Sequence, residues 1–264
     1  MEYLPFFLAT GALSGLLAGL FGVGGGLTTV PILALILSAQ GFPAEHVMQV
    51  AIGTSLAVIA LTALSSTRAH HAHGAVRWRL LAWLAPGLVA GALLGAWTAH
   101  GISSDWLARI VGIGALAVAL KLILQPDPRM RTGTPNGAAL TTAGGVIGWA
   151  SALIGIGGGS LTVPFLRLYG LEMRQAVGTS AAGGIPIAWA GAAGFIVTGS
   201  QVDGLPGGHW GYVSLPGFAA VATASVLLAP VGARLAHRLP QQWLQRAFAA
   251  LLLVIGVTML SGAV

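Results

Sequence analysis

Ten apolar runs, separated by short polar or Gly/Pro-rich breaks, occupy almost the whole of this 264-residue chain. Backbone N–H and C=O groups in hydrocarbon must be satisfied within the segment that carries them, so repeated runs of this kind fold as membrane helices. Only 7% of the residues are charged, against about 25% in a soluble domain, and 56% are hydrophobic. A soluble core is never so large a share of a chain. The reading is an all-α integral membrane protein. With no cysteine, thiolate metal sites, Fe–S ligation and disulfides are excluded.

The predicted helices cover residues 4–21, 27–39, 47–66, 80–99 and 106–124, then, after a polar linker, 138–154, 160–169, 174–197, 210–231 and 243–261. The second and seventh are too short for the ~20 residues that a crossing needs. These segments form a repeat. Gly22 to Leu33 (GVGGGLTTVPIL) aligns without gaps on Gly155 to Leu166 (GIGGGSLTVPFL), with eight of twelve positions identical. Met48 to Ala57 matches Met173 to Ala182 at six of ten, including Gly53-Thr54-Ser55 and Gly178-Thr179-Ser180. Residues 1–124 therefore read as a first membrane repeat, 125–137 as a linker and 138–264 as a second repeat.

Basic residues orient the halves. Eleven of the twelve fall in four clusters: Arg68, Arg77 and Arg79; Lys121, Arg129 and Arg131; Arg167 and Arg174; Arg234, Arg238 and Arg246. The positive-inside tendency puts all four in the cytoplasm. The loop at Arg68–Arg79 is basic while its repeat mate, 198–208, has no basic residue. The 40–45 loop is neutral while its mate, around Arg167–Arg174, is basic. Equivalent loops thus face opposite sides: the repeats are inverted, the chain is multi-pass in the cell (inner) membrane, and both ends lie outside. The net charge of +6 is accounted for by these loops, and no nucleic-acid partner is expected.

Four glycines in five positions would each cost a continuous helix about 1 kcal/mol. The helix should therefore break at Gly22, Gly24, Gly25 and Gly26, and again at Gly155, Gly157, Gly158 and Gly159. A half-helix then begins near Leu27 and near Ser160, its free N–H groups and positive dipole end favouring an anion. Hydroxyls of Thr28, Thr29, Ser160 and Thr162 add donors. Two such tips brought together by an inverted repeat would make a substrate site near the membrane midplane. Tight helix packing is the other use for such glycines. For Gly53, Thr54, Ser55, Gly178, Thr179 and Ser180, anion coordination and helix–helix hydrogen bonding stand as equal alternatives. His70, His71 and His73 form a loop cluster suited to lipid or anion attraction, and Arg109 is the one basic residue near the outer face. Trp210 and Trp243 read as interface anchors, whereas Trp149 and Trp189 sit deeper and either line the pathway or pack.

Gly-x-Gly-Gly-Gly followed by Thr-Val-Pro, then Arg174 to Ser180, doubled along the chain, resembles the TauE/SafE sulfite exporter family. The resemblance spans nearly the whole sequence. It implies a permease for sulfite, sulfonates or similar small anions, with the glycine tips and Gly-Thr-Ser triplets as pathway residues and no cofactor. The substrate class also admits another small organic anion or, on a separate reading, a metal cation. No acidic residue or histidine lies mid-helix in an arrangement suited to catalysis, so no enzyme is expected. No charge-switching residue appears at depth either, and the expected transport is ATP-independent and driven by the membrane potential.

Overall fold

The computed structural model describes residues 3–21, 25–124, 136–202, 204–236 and 241–262. Among these the chain forms ten α-helices: α1 (Leu4–Phe21), α2 (Gly26–Ala39), α3 (Val47–Ala72), α4 (Trp78–His100), α5 (Ser104–Leu124), α6 (Gly137–Ile154), α7 (Gly159–Leu168), α8 (Met173–Gly199), α9 (Leu215–Ala236) and α10 (Gln241–Leu260). Six of them, α3, α4, α5, α6, α8 and α9, are long and apolar enough to cross a membrane. α2, with 14 residues, and α7, with 10, reach about 21 and 15 Å at 1.5 Å per residue, short of a ~30 Å hydrocarbon core. Large apolar side chains such as Trp97, Val146, Leu227 and Val254 face outward, as a lipid-covered surface requires.

The packing is reciprocal. α1 lies against α9, and α4 lies against α6, so the first helix of each half packs on the fourth helix of the other. α5 pairs with α10 and α3 with α8. α3 is the most enclosed of the candidate spans and α8 the next. Glycine makes these contacts possible. Gly87, Gly91 and Gly95 recur every four residues along one face of α4. A Cβ on Gly87 or Gly91 would overlap the carbonyl oxygens of Thr141 and Gly145 on α6, and one on Gly95 would lie 2.7 Å from the Trp149 oxygen. α1 repeats the device: a Cβ on Gly11 would lie 2.9 Å from Val221 Cα, and one on Gly15 2.7 Å from Ser225 Cα. In lipid, where apolar burial gives no preference for protein over solvent, such close backbone approach is what drives helix association.

Eight helices lie within two residues of their expected positions. α3 runs six residues further, through Ala72, so His70 and His71 sit on its last turn instead of in a loop, and His73 caps it. The ninth segment differs more. Trp210 belongs not to a helix but to a two-stranded hairpin, β1 (His209–Trp210) and β2 (Val213–Ser214). Gly208 and Gly211, at φ of 88° and 53°, turn the chain, and Pro216 in the first turn suits the helix start at Leu215. Trp149 and Trp189 are both exposed on the outer surface, the former donating to Thr98 Oγ1 at 3.2 Å.

The loops sort into two groups. At one end of the bundle, Arg174 Nη2 donates to the His73 carbonyl at 2.6 Å, tying the basic loops together. At the other end, Met48 N donates to Ser104 Oγ (2.9 Å), Gln49 Nε2 to the Ile102 carbonyl (2.8 Å), and His100 Nδ1 lies 3.0 Å from the Tyr212 hydroxyl. Burial, and secondarily the Glu45 carboxylate, hold that phenol above its usual range.

Gly91→Ala should destabilise the bundle by about 1–3 kcal/mol, because the methyl group is forced into the α6 backbone. Gly145→Ala, whose methyl would have its nearest neighbour 4.0 Å away, should not. Thermal unfolding of the two purified variants in detergent separates these outcomes.

Candidate functional site

Both helix breaks are present. α1 ends at Phe21 and α2 starts at Gly26; Gly22 and Gly24 lie outside the described residues. In the second half α6 ends at Ile154, Gly155 caps it in the left-handed region (φ 75°), and α7 starts at Gly159. The residues before the two short helices, Gly25 and Gly158, also have left-handed backbones (φ 70° and 76°), and neither helix has a side-chain cap. The left-handed conformation is one that a residue with a Cβ enters at a cost. In α2 the Gly25 carbonyl accepts from Thr28 N and Thr29 N; in α7 the Gly158 carbonyl accepts from Leu161 N and Thr162 N. The N–H groups of Gly26 and Leu27, and of Gly159 and Ser160, come ahead of any intrahelical partner.

The two glycine runs touch. A Cβ on Gly26 would overlap the Gly155 carbonyl oxygen and lie 2.9 Å from Ile156 Cα. Gly25, Gly26, Gly155, Gly157, Gly158 and Gly159 are all buried. The tips thus converge in the interior from opposite halves, flanked by α3 through Ile59 and by α8 through Gly184, which a Cβ would bring to 3.0 Å from the Gly157 oxygen. The crevice beside the first tip, between Leu17, Gly25, Leu27, Thr28 and Phe248, has no room for a water molecule.

The Gly-Thr-Ser triplets are placed alike in the two halves. Gly53 lets the Tyr212 carbonyl approach α3, and Thr54 Oγ1 accepts from Ser214 N at 2.9 Å, just before α9. Gly178 sits against Ala75, and Thr179 Oγ1 accepts from Arg77 N at 2.9 Å, just before α4. Each triplet therefore fastens the loop that leads into the other half's fourth helix. Ser55 reaches the centre instead, donating to the Gly155 carbonyl at 3.0 Å. Ser180 is buried, and its hydroxyl has no partner among the described residues.

Hydroxyls at the tips are treated unequally. Thr28 Oγ1 donates to the Gly25 carbonyl at 2.7 Å, and Thr29 Oγ1 lies 2.8 Å from Ser14 Oγ and 3.0 Å from that same carbonyl. Ser160 Oγ and Thr162 Oγ1 are enclosed without any hydrogen-bond partner among the described residues, as is Ser151 Oγ on α6. Ser14 and Ser151 escape a reading by repeat alignment, since their repeat-equivalent positions are Ile147 and Ala18; only helix packing brings them to the tips. Arg109 stacks on Trp106, 4.8 Å from the ring centre, away from both tips in sequence and element. Among the described residues no three His, Asp or Glu side chains gather as a metal site would require.

Membrane helices broken at paired glycine runs, with uncapped helix ends meeting in the interior, define a polytopic membrane protein of the transporter class. Residues 7–259 match the sulfite exporter TauE/SafE family, and the chain belongs to it. A probable membrane transporter protein of Haemophilus influenzae is 34% identical over 96% of both chains. Another, from Methanocaldococcus jannaschii, is 26% identical over 97% of this chain and 95% of its own. The Bacillus subtilis protein YunE, also a probable membrane transporter, is 32% identical over 64% of this chain and 70% of its own. No solved structure matches the chain significantly. The protein is a membrane transporter and not an enzyme.

Replacing the threonine of either triplet leaves a backbone N–H in the protein without its acceptor. Thr54→Val and Thr179→Val should each lower stability by about 1–3 kcal/mol. Thermal unfolding of the purified variants checks this, with Thr142→Val on the outer face of α6 as a control that stays near wild type.

Proposed function

We propose that this transporter carries a small sulfur-containing oxyanion, sulfite or an organosulfonate, out of the cell through a site at the two glycine tips. The observation that carries the reading is the meeting of two uncapped helix N-termini in the buried centre. Their N–H groups and dipoles supply positive potential, and glycines carry no side chain between them and an oxyanion. The proposed binding residues are Gly25, Gly26, Gly158 and Gly159 with the adjoining N–H groups and hydroxyls of Ser160 and Thr162, and Ser55 and Ser180 from the crossing helices. Thr54 and Thr179 hold the entrance loops in place.

In this reading residues 1–124 and 138–264 are inverted repeats joined by a cytoplasmic linker at 125–137, with both chain ends outside. Reciprocal packing of each first helix on the other half's fourth supports the two-fold relation. Contact between two of the basic segments, Arg174 at the start of α8 with the His73 carbonyl after α3, supports the orientation, since both belong on the cytoplasmic side. An anion leaving a cell with a negative interior gains about 2.3 kcal/mol per charge per 100 mV, so export needs no further energy source.

In proteoliposomes, sulfite efflux should follow an imposed membrane potential when pH is equal on both sides, and Gly25→Leu or Gly158→Leu should abolish it in folded protein. Flux that ignores the potential and follows only a pH gradient would instead direct attention to His100 and its Tyr212 partner. For orientation, cysteines placed at Gly101 and Gly204 should react with an impermeant reagent from outside the cell, and one placed at Ala75 should not. Equal labelling of Gly101 and Ala75 positions would end the inverted reading.

A further inference from the structure

Repeat-equivalent residues at the two tips differ in what their hydroxyls do. In the first half Thr29 Oγ1 has Ser14 Oγ and the Gly25 carbonyl as partners, and a Cβ on Gly25 would run into Ser14 itself. The space beside that glycine is filled by a closed hydrogen-bonded pair. In the second half the equivalent Thr162 Oγ1 has none, although the residue is 1% exposed. The point where a Cβ on Gly158 would sit is overlapped by Cδ1 of Ile187, a flexible side-chain end on α8, with Thr162 Oγ1 3.4 Å and Ser151 Oγ 3.6 Å away, so an anion there displaces that methyl group. Ser151 is fully buried, and its hydroxyl also lacks a partner among the described residues; so does the enclosed Ser160 Oγ at the start of α7. A buried hydroxyl without a partner costs about 1–3 kcal/mol, and two beside one glycine, with a third at the start of the same short helix, are an expensive arrangement unless a ligand completes them.

The charge of that ligand follows from what surrounds it. α6 carries no charged residue, α7 none before Arg167, and α3 none between Val47 and Thr67. Arg167, at the far end of α7, is about 13 Å from Gly158 along the helix and donates to the Leu171 carbonyl; Arg174 is engaged with His73. The donors at Gly158 are therefore neutral dipoles. These can offset one buried negative charge, whereas a second, without a cation, would be strongly disfavoured.

We propose that the hydroxyls that hold the anion belong to the second tip, where Ser151 and Thr162 flank Gly158 and Ser160 opens α7, and that this site accepts singly charged oxyanions and rejects dianions. The first tip contributes its backbone but no free threonine hydroxyl, because Thr29 is already paired with Ser14 and the Gly25 carbonyl. The inference rests on the transport reading above but separates from it experimentally.

The test combines flux and stability on the full-length protein. Three probes are supplied to proteoliposomes at pH 6: sulfite, there chiefly its monoanion, methanesulfonate, and the dianion sulfate. Wild type should move one or both monoanions at least a hundredfold better than sulfate. Ser151→Ala and Thr162→Val should raise KM for the transported monoanion about tenfold while leaving the ligand-free melting temperature unchanged or higher, because each removes an unpaired polar group. Ser14→Ala should do the reverse, lowering the melting temperature with KM unchanged. Sulfate carried as well as the monoanions would overturn the proposal, as would wild-type KM in both second-tip variants. Movement of none of the three probes by wild type would overturn the transport reading and this inference with it.

Discussion

The structure depends on direct backbone-to-backbone contact along glycine stripes. Lipid tails are as apolar as the helix surfaces they cover, so two helices associate only if their contact is better packed than either would be against lipid. Gly87, Gly91 and Gly95 let α4 lie on the α6 main chain, and Gly11 and Gly15 do the same for α1 on α9. Both seams join one half to the other. The glycine content, about twice ordinary usage, serves several tasks: part of it makes seams, part admits or turns loops, and a small part breaks helices.

The central tips follow from those seams. With α1 held by α9 and α6 by α4, the chain leaving α1 and the chain leaving α6 are delivered to the same depth, and Gly26 meets Gly155. The left-handed backbone at Gly25 and Gly158 then turns each chain sharply into a short helix. Both short helices point their N-termini inward, which concentrates partial positive charge where no ionised side chain is found on the adjoining stretches of α3, α6 and α7. Gly53 and Gly178, in the next long helices, admit the loops that close over each end, and the threonines that follow secure them.

Much of this was legible from residue order. Helix number and most boundaries came from apolar runs punctuated by Gly and Pro, and the breaks at the tips came from four glycines packed into five positions, which no continuous helix favours. The segment at residues 209–214 was not legible, because Trp210, Tyr212 and Val213 look like the start of an apolar run; the left-handed glycines at 208 and 211 convert it to a hairpin. Nor could the fate of the hydroxyls be read. Thr29 and Thr162 are the same residue at the same place in the motif, and what distinguishes them is Ser14 or Ser151 on a neighbouring helix, at positions the repeat does not align. Trp149 and Trp189 appeared deep by sequence position, yet facing is set by helix rotation, which weak apolar periodicity in a lipid-facing helix does not specify.

The crossed seams have a bearing on how such a protein comes to exist. A half-length chain ending after α5 would carry the α1 and α4 glycine grooves with nothing to fill them, since both partners, α9 and α6, lie in the other half. Its backbone grooves would be open to lipid, and its single tip would have no counterpart. The smallest unit able to close on itself is therefore a pair of halves. On the proposed reading of residues 1–124 and 138–264 as repeats, an ancestor one half as long would have had to assemble with a second copy of itself, and fusion would then free positions such as Ser14 and Ser151 to take different work.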